Sequence, residues 1–221
     1  MARTVIYLLD EGFAEFVANT VFERLRSLLS EKEKIFIVLA GGKTPIPVYE
    51  TLTKLSLPWE RIYFFLSDER YVPLDSEQSN FKVISGALFG KVPIPKENIH
   101  FVDTSLPLER SAEKYEREIM NITDHFDVCI LGMGLDGHVA SIFDVELGKS
   151  ERWVVTTPAT GDPHVPRISL TFSALNSAEY IFFVIGGEEK KKRLTEVLLD
   201  RPIPASYVRG KWETVWFVSE R

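Results

Sequence analysis

The stretch Asp127-Val-Cys-Ile-Leu-Gly-Met-Gly-Leu-Asp-Gly-His-Val-Ala-Ser-Ile-Phe-Asp144 decides how the chain is read. Val128, Cys129, Ile130 and Leu131 form an unbroken apolar run ending in glycine, the pattern of a strand buried on both faces of a parallel sheet. Gly132, Gly134 and Gly137 then free the backbone for tight turning, and between them the loop offers one carboxylate, Asp136, and one imidazole, His138. In an open α/β sheet, the carboxyl end of a strand is where ligands bind.

Gly132 to Gly137 also fits G-x-G-x-x-G, the dinucleotide fingerprint. The context argues against that reading. Asp136 would put a negative charge where a pyrophosphate must sit, and only a short segment around Gly148 precedes the next strand expected, at 152–157. A crossover helix has little room there.

Working outward, three more apolar runs end in polar junctions. Residues 35–40 lead into Gly41-Gly-Lys-Thr-Pro45, with Pro45 suited to the first turn of a helix reaching about residue 55. A strand-glycine-helix junction aims amides at an anion, and Lys43 and Thr44 add donors beyond what a mere turn requires. The junction is not a P-loop, because Ile37 stands where that motif needs its first glycine. Residues 62–67 end in Ser67-Asp-Glu-Arg70, which read alone is equally a solvated loop or an ion pair. Residues 181–185 end in Gly186-Gly-Glu-Glu-Lys190, where Lys190 falls in the first turn of a helix and is disfavoured by the dipole unless an anion is near.

Strands are also expected at 4–9, around 99–102, at 153–157 and 167–172, and as closing strands at 204–208 and 215–218. Helices are expected at 11–30, with Phe13, Phe16, Val17, Val21, Leu25 and Leu28 inward, at 82–89 behind a Ser79 or Asn80 cap, at 108–121 and up to 199. The charges from Glu109 to Glu118 read as an exposed helix face. The alternation predicts one α/β domain over residues 1–221, a Rossmann-like open, mostly parallel twisted sheet with helices on both faces. Its parallel strands would gather the four polar junctions into one crevice.

Composition narrows the function. The 221 residues carry 26 basic and 32 acidic side chains, a net charge of −6, which disfavours a nucleic-acid or membrane-surface binder while leaving room for a local basic pocket. Cys129 is the one cysteine, so no intramolecular disulfide forms; no signal-like or membrane-spanning apolar stretch is present, and a cytoplasmic enzyme is expected. His100, His125, His138 and His164 show no paired metal-ligand spacing.

Five motifs in order carry a resemblance: Gly41-Gly-Lys-Thr-Pro45, Asp68-Glu-Arg-Tyr-Val-Pro73 with Ser79-Asn80, Leu131-Gly-Met-Gly-Leu-Asp-Gly-His-Val-Ala-Ser141, Pro166-Arg-Ile-Ser-Leu-Thr171 and Gly187-Glu-Glu-Lys190. Over residues 39–216 the chain resembles the 6-phosphogluconolactonases. Departures are Lys43 where serine is commoner and Ser219 where aspartate is common. The same superfamily holds glucosamine-6-phosphate deaminases, in which the central segment continues Ala-Phe-Asn-Glu-Pro; here it continues Ala140-Ser-Ile-Phe-Asp144, and Arg70 stands where deaminases usually carry tyrosine.

The resemblance implies hydrolysis of 6-phosphogluconolactone in the pentose phosphate pathway, with a phosphorylated sugar lactone as partner, no cofactor or metal, and a monomer or small homo-oligomer. It implies His138 as the base that activates water, Asp136 as the group orienting it, and Arg70 as a stabiliser of the oxyanion. Gly41, Gly42, Lys43, Thr44, Asp68, Arg167 and Lys190 become the candidates for substrate and phosphate binding. Two alternatives are a deaminase using Asp144 for the missing glutamate, and a non-catalytic sugar-phosphate sensor, which has no need of His138.

Overall fold

The computed structural model describes residues 3–219. The chain opens with strand β1 (Arg3–Leu9), helix α1 (Phe13–Glu31), β2 (Ile35–Leu39), α2 (Ile46–Leu52), β3 (Ile62–Leu66) and the short β4 (Asp68–Arg70). It continues through α3 (Asn80–Ile84), β5 (Ile99–His100), α4 (Leu108–Ile122), β6 (Val128–Leu131) and α5 (Val145–Gly148). The last part holds β7 (Val154–Thr160), β8 (Val165–Leu170), α6 (Phe172–Leu175), β9 (Tyr180–Gly186), α7 (Glu188–Leu198) and β10 (Glu213–Ser219).

The main sheet has the order β1-β10-β9-β6-β2-β3-β5, and all its pairings are parallel. Apolar runs explain the centre: every residue of β2 and β6 is buried, so each strand has a core face on both sides. Val17, Val21, Leu25 and Leu28 of α1 pack with Val48 and Tyr49 of α2 on one face. Tyr115 and Ile119 of α4 and Leu194 of α7 pack on the other. The predicted open α/β sheet with helices on both faces is therefore the observed one.

From β2 the chain winds outward to β5, then returns to β6 and winds the other way to β10. The reversal lies between β2 and β6, which makes their carboxyl ends the switch point where a doubly wound sheet opens a crevice. Register brings those ends level, with Leu39 beside Leu66 and Ile130, and Leu131 beside Phe183. At the opposite end, buried Asp127 accepts the Phe36 N–H at 2.6 Å and an ion pair from Lys32, tying β6 to β2.

Several expectations need correction. Asp68–Arg70 does not simply leave the sheet: it forms β4, which pairs antiparallel with β8 in a second sheet of order β4-β8-β7. The strand expected at 204–208 is a 3-10 turn at Pro204–Tyr207. Residue 172 opens a helix, because Thr171 caps α6 through Ala174 N. Phe16 is outside the core, against Tyr7 at 5.2 Å between ring centres. Two charges on α4 are structural: Glu116 accepts the N–H groups of Trp153 and Val154, and Glu118 meets the buried His100 at 2.6 Å. Among the described residues no helix is long and apolar enough to cross a membrane.

Candidate active site

A cleft of about 290 Å³ opens at the switch point, and Gly41 to Thr44, Asp68, Arg70, Gly134, His138, Arg167 and Lys190 all line it. The sequence candidates thus converge, with the exception of Asp136, which reaches the cleft through His138. Each junction is held by the core beneath it. Fully buried Tyr49 donates its hydroxyl to Ala40 O at 2.9 Å and accepts Ala40 N–H at 3.2 Å, fixing the start of the Gly41–Thr44 loop; burial pushes this phenol far above its ordinary range.

The glycine loop is folded around its imidazole. His138 Nδ1 lies 2.6 Å from Asp136 Oδ1, so Nδ1 is the donor and Nε2 is the nitrogen left to exchange protons. Gly134 N–H donates to His138 O at 2.9 Å, closing the loop beneath the ring. A side chain at Gly134 is excluded, since its Cβ would stand 2.1 Å from His138 Nδ1. Phe143 packs on the imidazole at 4.2 Å between centres. Burial pushes the Asp136 carboxyl up, yet the hydrogen bond from His138 and its charge outweigh that and bring it down to about 2.

Besides Lys43 of the glycine loop, the cations of the cleft come from the small sheet and from α7. Arg70 and Arg167 are directly opposed across β4 and β8. Arg167 is buried, with Nε donating to Thr160 O at 3.2 Å and Nη2 to Pro163 O at 2.9 Å, and its guanidinium lies over Phe143. Burial is the main influence lowering its pKa. Arg70 Nη1 donates to Asn80 Oδ1 at 2.6 Å, and its buried Nε has no hydrogen-bond partner among the described residues. Lys190, in the first turn of α7 as predicted, is held below the usual lysine range by burial.

Glu69 and Asn80 stand in the second sequence motif but are not among the site residues expected from it. The Glu69 carboxylate accepts the N–H groups of Arg70, Asn80 and Phe81 and the Ser79 hydroxyl, all within 3.0 Å. Burial raises its pKa against those backbone donors. It thereby sets the turn that brings Asn80 against Gly41, whose added Cβ would sit 2.1 Å from Asn80 Oδ1. The sequence offers Ser79-Asn80 as a helix cap and as part of a motif; its burial against Gly41 is what places Asn80 at the site. Asp68, expected to touch substrate, has both carboxylate oxygens engaged inside the protein, by the Ser67 and Ser141 hydroxyls at 2.7 Å each. Asp144 does not line the cleft; it is exposed and caps α5 through Glu146 N at 2.9 Å. Among the described residues no group of three or more His, Cys, Asp or Glu could hold a metal ion together.

Residues 10–216 match the model of the family described as glucosamine-6-phosphate isomerases/6-phosphogluconolactonase. The chain belongs to this family. Within the family it is 59% identical to the 6-phosphogluconolactonase of Thermotoga maritima over 100% of both chains, and 32% identical to that of Synechocystis over 91% of this chain and 88% of the other. The crystal structure of the Thermotoga maritima protein superposes with a TM-score of 0.98, covering 99% of this chain and 100% of that one. The 6-phosphogluconolactonase of Trypanosoma brucei, 25% identical, superposes at 0.87 over 99% of this chain and 96% of its own.

Proposed function

We propose that this family member hydrolyses 6-phosphoglucono-1,5-lactone to 6-phosphogluconate, with His138 as general base, and serves the oxidative pentose phosphate pathway in the cytoplasm. The observation that carries the mechanism is the Asp136–His138 pair facing a cleft lined by Arg70, Arg167 and Lys190. His138 Nε2 takes a proton from water as its oxygen bonds to lactone C1. The carbonyl becomes an oxyanion, which Arg70 offsets. As that carbonyl re-forms, the bond from C1 to the ring oxygen breaks, and the imidazolium returns the proton to the departing oxygen.

The substrate phosphate is assigned to the Gly42–Thr44 loop with Arg167 and Lys190, the side chains able to meet a dianion with charged donors. The same residues argue against deamination. Opening a pyranose, moving a proton between carbons and expelling ammonia call for more than one acid-base group at the reacting carbons, and Asp144 is turned to a helix cap.

The test is one protein sample given two substrates. We expect rapid hydrolysis of 6-phosphogluconolactone, above its spontaneous opening, without added metal or nucleotide, and no ammonia from glucosamine 6-phosphate. Ammonia release at a rate comparable with hydrolysis would overturn the proposal.

A further inference from the structure

Ser141 stands three residues after His138, is fully buried, and has both of its polar donors engaged by the small sheet. Its hydroxyl donates to Asp68 Oδ2 at 2.7 Å, and its backbone N–H donates to Ser169 Oγ at 3.0 Å. Asp68 and Ser169 are register partners across β4 and β8, so one residue of the loop is gripped by adjacent positions on two strands. The residue before it, Ala140, has φ 52°, a left-handed backbone that an L side chain resists. Ile142 N–H to Val139 O at 2.9 Å closes the turn around it. Such a conformation persists only where the surroundings over-determine it.

The rest of the loop is tied elsewhere. Arg193 of α7 donates to Leu135 O at 2.7 Å, and Ala205 N–H donates to Gly137 O at 3.0 Å. These contacts hold the stem before His138. The contacts of Ser141 hold the stem after it.

We propose that Ser141 is a positioning residue for the hydrolytic reaction. Through Asp68 and Ser169 it pins the far stem of the catalytic loop and keeps Ala140 left-handed, which sets the angle at which His138 meets the cleft. Asp68 then acts through Ser141 and not as a ligand of the sugar. Misplacing a catalytic group by about 1 Å can cost on the order of 10²-fold in rate, so a buried hydroxyl remote from substrate can matter to turnover.

The kinetic part rests on the lactonase reading and the structural part does not. The variants Ser141→Ala, Asp68→Asn and the double substitution are compared with the parent for kcat, for 6-phosphogluconate affinity by calorimetry, and for the His138 Nδ1 proton by NMR. Expected are a kcat lowered about 10- to 100-fold, product affinity within about twofold because the phosphate donors lie elsewhere, and a displaced or exchange-broadened Nδ1 proton. The double variant should be no slower than the worse single one, as groups acting as a unit are non-additive. A kcat within about twofold of the parent in folded Ser141→Ala, losses that multiply in the double variant, or an unchanged Nδ1 resonance each overturn the proposal. If Ser141→Ala does not fold, Asp68→Asn is read by the same three criteria. A parent without lactonase activity sinks the proposed function alone, and the Nδ1 proton still decides the role of Ser141.

Discussion

His138 is bound twice by one atom of Asp136: Oδ1 meets the ring at Nδ1, 2.6 Å away, and the His138 backbone N–H at 3.1 Å. The carboxylate therefore fixes tautomer and ring direction together. Replacing His138 by Asn should lower kcat about 10²–10⁴-fold with 6-phosphogluconate binding preserved. Asp136→Asn should lower kcat as well, with product binding kept, since its amide can no longer serve both N–H groups as an anion. Steady-state rates corrected for spontaneous opening, beside calorimetry of the product, decide the matter; a folded His138→Asn enzyme with near-normal kcat would remove the base from the mechanism.

Two glycines of the same loop make a controlled pair. A Cβ at Gly134 would stand 2.1 Å from His138 Nδ1 and 2.6 Å from Asp136 Oδ1, whereas one at Gly132 meets nothing within 4 Å. Gly134→Ala is expected to displace the imidazole and cost on the order of 10²-fold in kcat, while Gly132→Ala stays close to the parent. Equal activity in the two variants would show that the ring position seen here is not the working one.

If Lys190 holds the phosphate as proposed, it should give product binding an alkaline pH dependence. Burial lowers its pKa, and a bound phosphate favours the charged form, so binding a dianion opposes the loss of its proton. Affinity for 6-phosphogluconate should hold below that lowered pKa and weaken as pH rises through it, earlier than an ordinary lysine near 10.4 predicts. Lys190→Arg should abolish this alkaline limb, because a guanidinium stays charged. Lys190→Ala or Arg167→Ala should each weaken product binding by about 1.5–3 kcal/mol while leaving unphosphorylated gluconolactone nearly unaffected. Equal losses on both lactones would assign these residues elsewhere.

Glu69 is a fully buried carboxylate with four donors around it. Gln offers one acceptor oxygen and turns an N–H₂ group toward donors already in place. Glu69→Gln should therefore destabilise the fold by about 2–4 kcal/mol and loosen Arg70 through Asn80. Denaturant unfolding within about 0.5 kcal/mol of the parent would mean that water or rearrangement replaces the lost oxygen.

The main sheet is legible because β2, β6 and β9 are apolar runs too dense for anything but a strand covered on both faces, and because each reaches a glycine at its end or within two residues of it. The small sheet was half hidden. Asp68-Glu-Arg has no apolar alternation, and its pairing with Arg167-Ile-Ser is a long-range contact that no local pattern encodes. The cleft residues could be gathered by strand ends alone, but whether each faced substrate or protein could not: Asp68 is taken by two serines, and Arg167 spends two of its donors on backbone carbonyls. Pro204–Tyr207 shows the limit for four-residue segments: instead of a strand it forms a tight helical turn whose Ala205 N–H donates to Gly137 O at 3.0 Å.

The cross-strand placement of Arg70 against Arg167 has a practical outcome for handling the protein. Like charges set opposite one another on a sheet work against folding, and on the proposed assignment an anion held by either guanidinium offsets that contribution. On the proposed function a sugar phosphate that binds the folded site should raise stability by mass action, a hundredfold excess over its dissociation constant adding about 2.7 kcal/mol. Melting temperature becomes an inexpensive sensor of ligand, and a screen of sugar phosphates by dye fluorescence would rank them before any lactone has to be synthesised.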